Sequence, residues 1–104
     1  MAPRGPILPR KDITASQARA ALANSAFQVG VLLAIQRNRV GMRQEDLGAE
    51  IGRTQSEIST LERGGRLAKP LSDGELKTLF KVLNLANQRR LREFLKWWQT
   101  HGQR

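Results

Sequence analysis

The stretch from Gln44 to Arg63 constrains this chain more than any other, because it reads as two short helices held across a tight turn. Leu47 and Ile51 lie four apart and form one apolar stripe. Gly52 ends that helix at a position where a positive φ costs glycine nothing. Thr54 then stands as N-cap of a second helix, whose buried face is Ile58 and Leu61. Gly48, inside the first helix, costs about 1 kcal/mol relative to Ala. A residue without a side chain there lets the second helix cross close to the first.

The flanking segments are helical too. Residues 1–13 carry three prolines together with Arg4, Arg10 and Lys11. Proline removes donors and disfavours helix before it, so this segment reads as a flexible basic arm. It is either a tail or a strand of cations for a phosphate backbone or minor groove. Thr14 with Gln17, and Ser25 with Gln28, have the spacing of capping boxes. Either two helices meet near Asn24, or one long helix bends there. Phe27, Val31 and Ile35 at four-residue spacing, with Leu32 beside them, predict helix up to Arg39, and Gly41 ends it. Residues 64–70 read as a loop. Ser72 and Glu75 open a further helix with Leu76, Leu79, Phe80 and Leu83 at i, i+3, i+4 and i+7. The last helix begins near Asn87 and repeats that pattern with Leu91, Phe94, Leu95 and Trp98; Trp97 sits off the stripe. No segment alternates with period two. The fold expected is all-α, a bundle of five to six helices, with an arm (1–13), a main domain (14–86) and a basic C-terminal helix and tail (87–104).

Charge narrows the partners. Eighteen Lys and Arg against nine Asp and Glu give +9, which calls for a polyanion. Cysteine is absent, so there is no disulfide, thiolate metal site or thiol nucleophile. His101 stands alone near the end, tyrosine is missing, and the acidic residues have no metal-ligand spacing. Neither an enzyme nor a metal or cofactor site is expected. The longest apolar run, Val29 to Ile35, is too short to cross a bilayer, and the start of the chain lacks the pattern of a signal peptide. The expected location is cytoplasmic, with no membrane partner.

One pattern joins these observations. Arg37, Gly41, Met42, Gln44, Leu47, Gly48, Ile51, Gly52, Thr54, Ile58, Leu61, Glu62 and Gly64 stand in the register of the phage-repressor, Xre/Cro-type helix-turn-helix proteins, which the chain resembles from about Leu33 to Leu83. The resemblance implies a DNA partner, with Gln44, Gln55, Ser56 and Thr60 at the base-reading positions. Gln can pair with adenine N6 and N7 in the major groove, and the hydroxyls can donate or accept. It implies a structural ion pair between Arg37 and Glu62, and phosphate contacts from Arg43, Arg53, Arg63, Arg66 and Lys69. One departure stands out. The family has Ser, Thr or Asn where this chain has Arg43, which offers no acceptor at the positive end of a helix dipole. Arg43 either binds a phosphate or is a tolerated weak cap. Glu57 is a second oddity near bases, able to accept from cytosine N4 or to face phosphates at a cost.

In function the resemblance implies a sequence-specific transcriptional regulator, most often a repressor, that reads the major groove as a homodimer. The Leu91, Phe94, Leu95 and Trp98 stripe either packs on the chain's own domain or makes that dimer. The alternative is an antitoxin that represses its own operon and binds a toxin protein.

Overall fold

The computed structural model describes residues 15–101. Among them the chain folds into five helices and no strand: α1 (Ala15–Arg39), α2 (Gln44–Ile51), α3 (Gln55–Glu62), α4 (Asp73–Val82) and α5 (Arg89–His101). The arm, Thr14 and Arg104 lie outside the described residues.

α1 is one continuous helix of 25 residues, which resolves the choice at Asn24. Ser25 caps nothing; its hydroxyl donates to the Ala21 carbonyl one turn back, at 3.2 Å. Ala26, Val29 and Leu33 point into the core, while Phe27, Val31 and Ile35 are 52, 38 and 45% exposed. Both rows are apolar at helical spacing, so periodicity alone does not choose between them. The choice is made by Gly30: a Cβ there would lie 2.5 Å from the Glu62 carbonyl oxygen. The end of α3 needs bare backbone to pack on, and that rotates the neighbouring row into solvent. Counted as a whole helix, Ser16–Arg39 is long and apolar enough to cross a membrane by length and composition, and only 22% of its most apolar window is buried. The expectation from run length missed this because Asn24 and Gln28 interrupt the apolar stretch.

After α1 the chain turns at Gly41, and Met42 N–H returns to the Arg37 carbonyl at 3.1 Å. α2 stops at Gly52 (φ 76°). At Gly48 a Cβ would meet the Arg53 carbonyl at 2.3 Å, so the glycine makes room for the turn itself rather than for the second helix. α3 and α4 both open with complete capping boxes, Thr54 with Glu57 and Ser72 with Glu75. The core between these elements holds Leu33, Leu47, Ile58, Leu76, Leu79, Phe80 and Leu83, all but fully buried. Each such side chain contributes about 1.5–3 kcal/mol of burial.

α5 belongs to this same core. Leu95 and Trp98 are buried, and Leu91 and Phe94 pack against the cluster. Trp98 Nε1 donates to the Gly64 carbonyl at 3.0 Å. The buried Gln99 accepts from Leu67 N–H at 2.8 Å and donates to the Gly65 carbonyl at 3.1 Å. Of the two roles open to the stripe, the structure gives Leu95 and Trp98 to packing within the chain. α5 thereby fixes the loop that follows α3.

Candidate nucleic-acid interface

α3 is short, and each of its ends is anchored by an arginine whose side chain is largely enclosed. At its carboxyl end Arg37 reaches from α1 to Glu62 in a two-pronged pair, with Nε to Oε2 at 2.6 Å and Nη2 to Oε1 at 3.1 Å. The two side chains are 12% and 7% exposed. Arg37 Nη1 also donates to the Met42 carbonyl at 2.8 Å, which ties the turn before α2 to the same point.

The network does not stop at the pair. Gln44 Nε2 donates to Glu62 Oε1 at 2.9 Å, and Gln55 Nε2 donates to Gln44 Oε1 at 3.3 Å. Each link fixes the orientation of the next amide. Glu62 can only accept, so Gln44 must turn its NH₂ inward and its oxygen outward. That oxygen takes one N–H of Gln55, which sits exposed in the first turn of α3. The remaining N–H and the oxygen of Gln55 are the donor–acceptor couple that matches adenine N7 and N6. Ser56 is exposed beside it, and Thr60 one turn on is half-buried, its hydroxyl donating to the Ser56 carbonyl at 3.0 Å. The four expected base-reading side chains thus fall on α3 and on the start of α2, with two of them joined to the Arg37–Glu62 pair.

The cations expected on phosphates divide. Arg53 is corrected: its side chain is 5% exposed and its hydrogen bonds are spent inside the protein. It makes a two-pronged pair with Glu75 (2.9 and 2.8 Å), reaches Glu57 at 2.8 Å, and donates to the Lys69 and Pro70 carbonyls. The Arg53 guanidinium, helped by the Ser72 backbone N–H, holds the Glu75 carboxyl down at about 2. Arg53 in turn is held further above its ordinary value, chiefly by Glu75. Glu57 is placed by the same network. It closes the α3 capping box, and the Thr54 N–H and Arg53 keep its carboxyl below the usual range. The Thr54-x-x-Glu57 pattern was the sequence signal for that role. Arg66 is half-buried, with its guanidinium carbon 4.5 Å from the centre of the Trp98 ring.

Arg43, Arg63 and Lys69 remain on the surface. Arg63 Nη1 donates to the Ser59 hydroxyl. Arg43 caps α2 in reverse: Asp46 accepts from its backbone N–H at 2.9 Å and from its Nε at 3.3 Å. The carboxylates of Asp46 and Glu45 offset the cation at the helix start, and the Arg43 side chain stays 74% exposed. The Arg43 N–H lowers the Asp46 carboxyl. A cap that looks weak from its side chain is therefore completed from three residues on.

Sequence reasoning missed Gly30, Gln99 and the buried role of Arg53. No local signal marks the first two; their partners lie far along the chain. A family model described as a helix-turn-helix domain matches residues 28–94, well over half of the chain. It starts within α1 and ends within α5. Neither the curated proteins nor the solved structures contain a match.

Proposed function

Because the chain belongs to the helix-turn-helix domain family, we propose that it is a sequence-specific regulator of transcription, acting as a repressor, that places α3 in the major groove. The observation that carries the proposal is the hydrogen-bonded line from Arg37 through Glu62 and Gln44 to Gln55. A solvated polar face has no need of a buried cation behind it. A base-reading amide does, because an amide free to rotate loses its preference for adenine.

Arg43, Arg63 and Lys69 supply positioning contacts to phosphates on either side of α3, and these carry no sequence information. Such contacts make affinity fall steeply with salt. The protein works as a homodimer on two half-sites about 10 base pairs apart. It acts in the cytoplasm on the nucleoid, by binding and without catalysis.

Selection of bound duplexes from a random pool tests this. The expected result is a pseudo-palindrome with adenines at positions lost in Gln55→Ala. Equal affinity for every duplex, with only the salt dependence remaining, would refute it.

A further inference from the structure

Arg66 is held differently from the other enclosed arginines. Arg37 and Arg53 spend Nε and both Nη groups on carboxylates and carbonyls. Arg66 is half-buried, and its Nη1 is buried with no acceptor among the described residues. Its guanidinium rests on the face of the Trp98 ring, 4.5 Å from the centre, rather than on a carboxylate. A buried donor left unpaired is costly, and more so on a charged group.

The backbone around Arg66 is pinned from two sides. Gly64 and Gly65 N–H donate back to the Leu61 and Thr60 carbonyls of α3 at 3.0 and 2.9 Å. From α5, Trp98 Nε1 donates to the Gly64 carbonyl, and Gln99 bonds both the Gly65 carbonyl and Leu67 N–H. Residue 66 is therefore fixed before and after by two neighbouring α5 side chains, one of which also supports its guanidinium. The loop runs along the base-reading side of α3, since a Cβ on Gly65 would come 2.8 Å from Thr60 Cγ2.

A fixed backbone, a planar cation aligned on an aromatic face and a donor without an acceptor are what an anion site is made of. Stacking keeps the guanidinium fork in one orientation, and such a fork matches two oxygens of a phosphate. The anion that borders Thr60 and Gln55, on the DNA reading above, is the duplex backbone.

We propose that Trp98 and Gln99 are positioning residues for DNA: from α5 they hold residues 64–67 and the Arg66 guanidinium in the arrangement that takes a backbone phosphate. On binding, the guanidinium tilts on the ring and Nη1 gains an oxygen. The proposal rests on the DNA reading and makes α5, which lies outside the helix pair, part of the binding apparatus.

The test is a double-mutant cycle in duplex affinity, measured on the full chain at several salt concentrations, with thermal melts as the check on folding. Arg66→Ala is expected to weaken binding on the order of 10-fold for every duplex alike and to lower the salt slope by about one. Trp98→Phe keeps a ring in the core but gives up the donor to Gly64 and the broader face. It is expected to weaken binding by about 3- to 10-fold. Gln99→Met gives up both loop bonds and is expected to act in the same direction; should it not fold, the Trp98→Phe arm decides. A merely structural role would lower affinity by the same factor with or without Arg66. The proposal requires that neither α5 change weakens binding further in the Arg66→Ala background. Equal factors in both backgrounds, a salt slope unchanged by Arg66→Ala, or a Trp98→Phe protein that binds as tightly as the wild type would overturn it. The two readings fail separately. Equal grip on all duplexes removes base reading and leaves the cycle legible in the non-specific affinity. An additive cycle removes the role of α5 and leaves discrimination between duplexes intact. A wild type that binds no duplex refutes both.

Discussion

The two ends of α3 are built from the same parts and serve opposite purposes. At each, a largely enclosed arginine grips a glutamate from another element in a two-pronged pair. At the amino end, Arg53 spends its donors on Glu75, Glu57 and two backbone carbonyls, so the network closes on itself. At the carboxyl end, the Arg37–Glu62 pair passes orientation on through Gln44 to an exposed Gln55, whose last donor and acceptor face outward. A buried ion pair is thus no guide to function by itself. What matters is whether its last member keeps hydrogen-bonding capacity at the surface.

Breaking the open network has the largest expected effect. Glu62→Ala strands the Arg37 charge and costs about 3–5 kcal/mol, lowering Tm by more than about 12 °C. The same change frees the two glutamines, so the ratio of specific to non-specific DNA affinity falls as well. Thermal melts paired with duplex titrations read both effects. A lowered Tm with an unchanged ratio would break the link to Gln55.

Glu75→Ala is the matching change at the closed end. Glu57 still faces Arg53 there, so the loss is about 1.5–3 kcal/mol. Specificity is expected to stay at the wild-type ratio. The pair also predicts a pH response. A carboxyl held at about 2 in the fold and near its ordinary value when unfolded stabilises the protein fully above about pH 4.5. That contribution is lost as the pH falls through the window down to about 2. In melts across this range Glu75→Gln should flatten the decline, and a decline as steep as the wild type would remove Glu75 as its source.

Gln55→Ala sharpens the comparison from the surface side. Tm should move by no more than about 0.5 kcal/mol equivalent, while discrimination at one base pair drops by about 1–3 kcal/mol. The smallest expected change is Arg43→Ser, which removes one phosphate contact and lowers the salt slope by about one. An unchanged slope would leave Arg43 as a cap partner of Asp46 and nothing more.

The parts legible in the sequence are those whose partners are near in the chain. The helix pair around Gly52, the Thr54 and Ser72 caps and the α4 stripe follow from contacts three or four residues apart, and each appears where periodicity and capping chemistry put it. The helix-turn-helix register followed too, because it is a string of such local requirements. Long, charged and ambiguous side chains did not yield. Arg53 has the same chemistry as an arginine on a phosphate, and only the arrival of Glu75 and the 69–70 backbone, from beyond the turn, takes it out of solvent. α1 carries two apolar rows of equal quality, and the close approach of α3 at Gly30 selects one. The α5 stripe fits two interfaces, and Gln99 and Trp98 bind it to the chain's own loop. Sequence alone determined that the chain is helical and where α2, α3 and α4 start and stop, since backbone hydrogen bonds and caps are local. Tertiary structure decided which faces and charges are spent inside and which remain for a partner, since that depends on groups brought together across the fold.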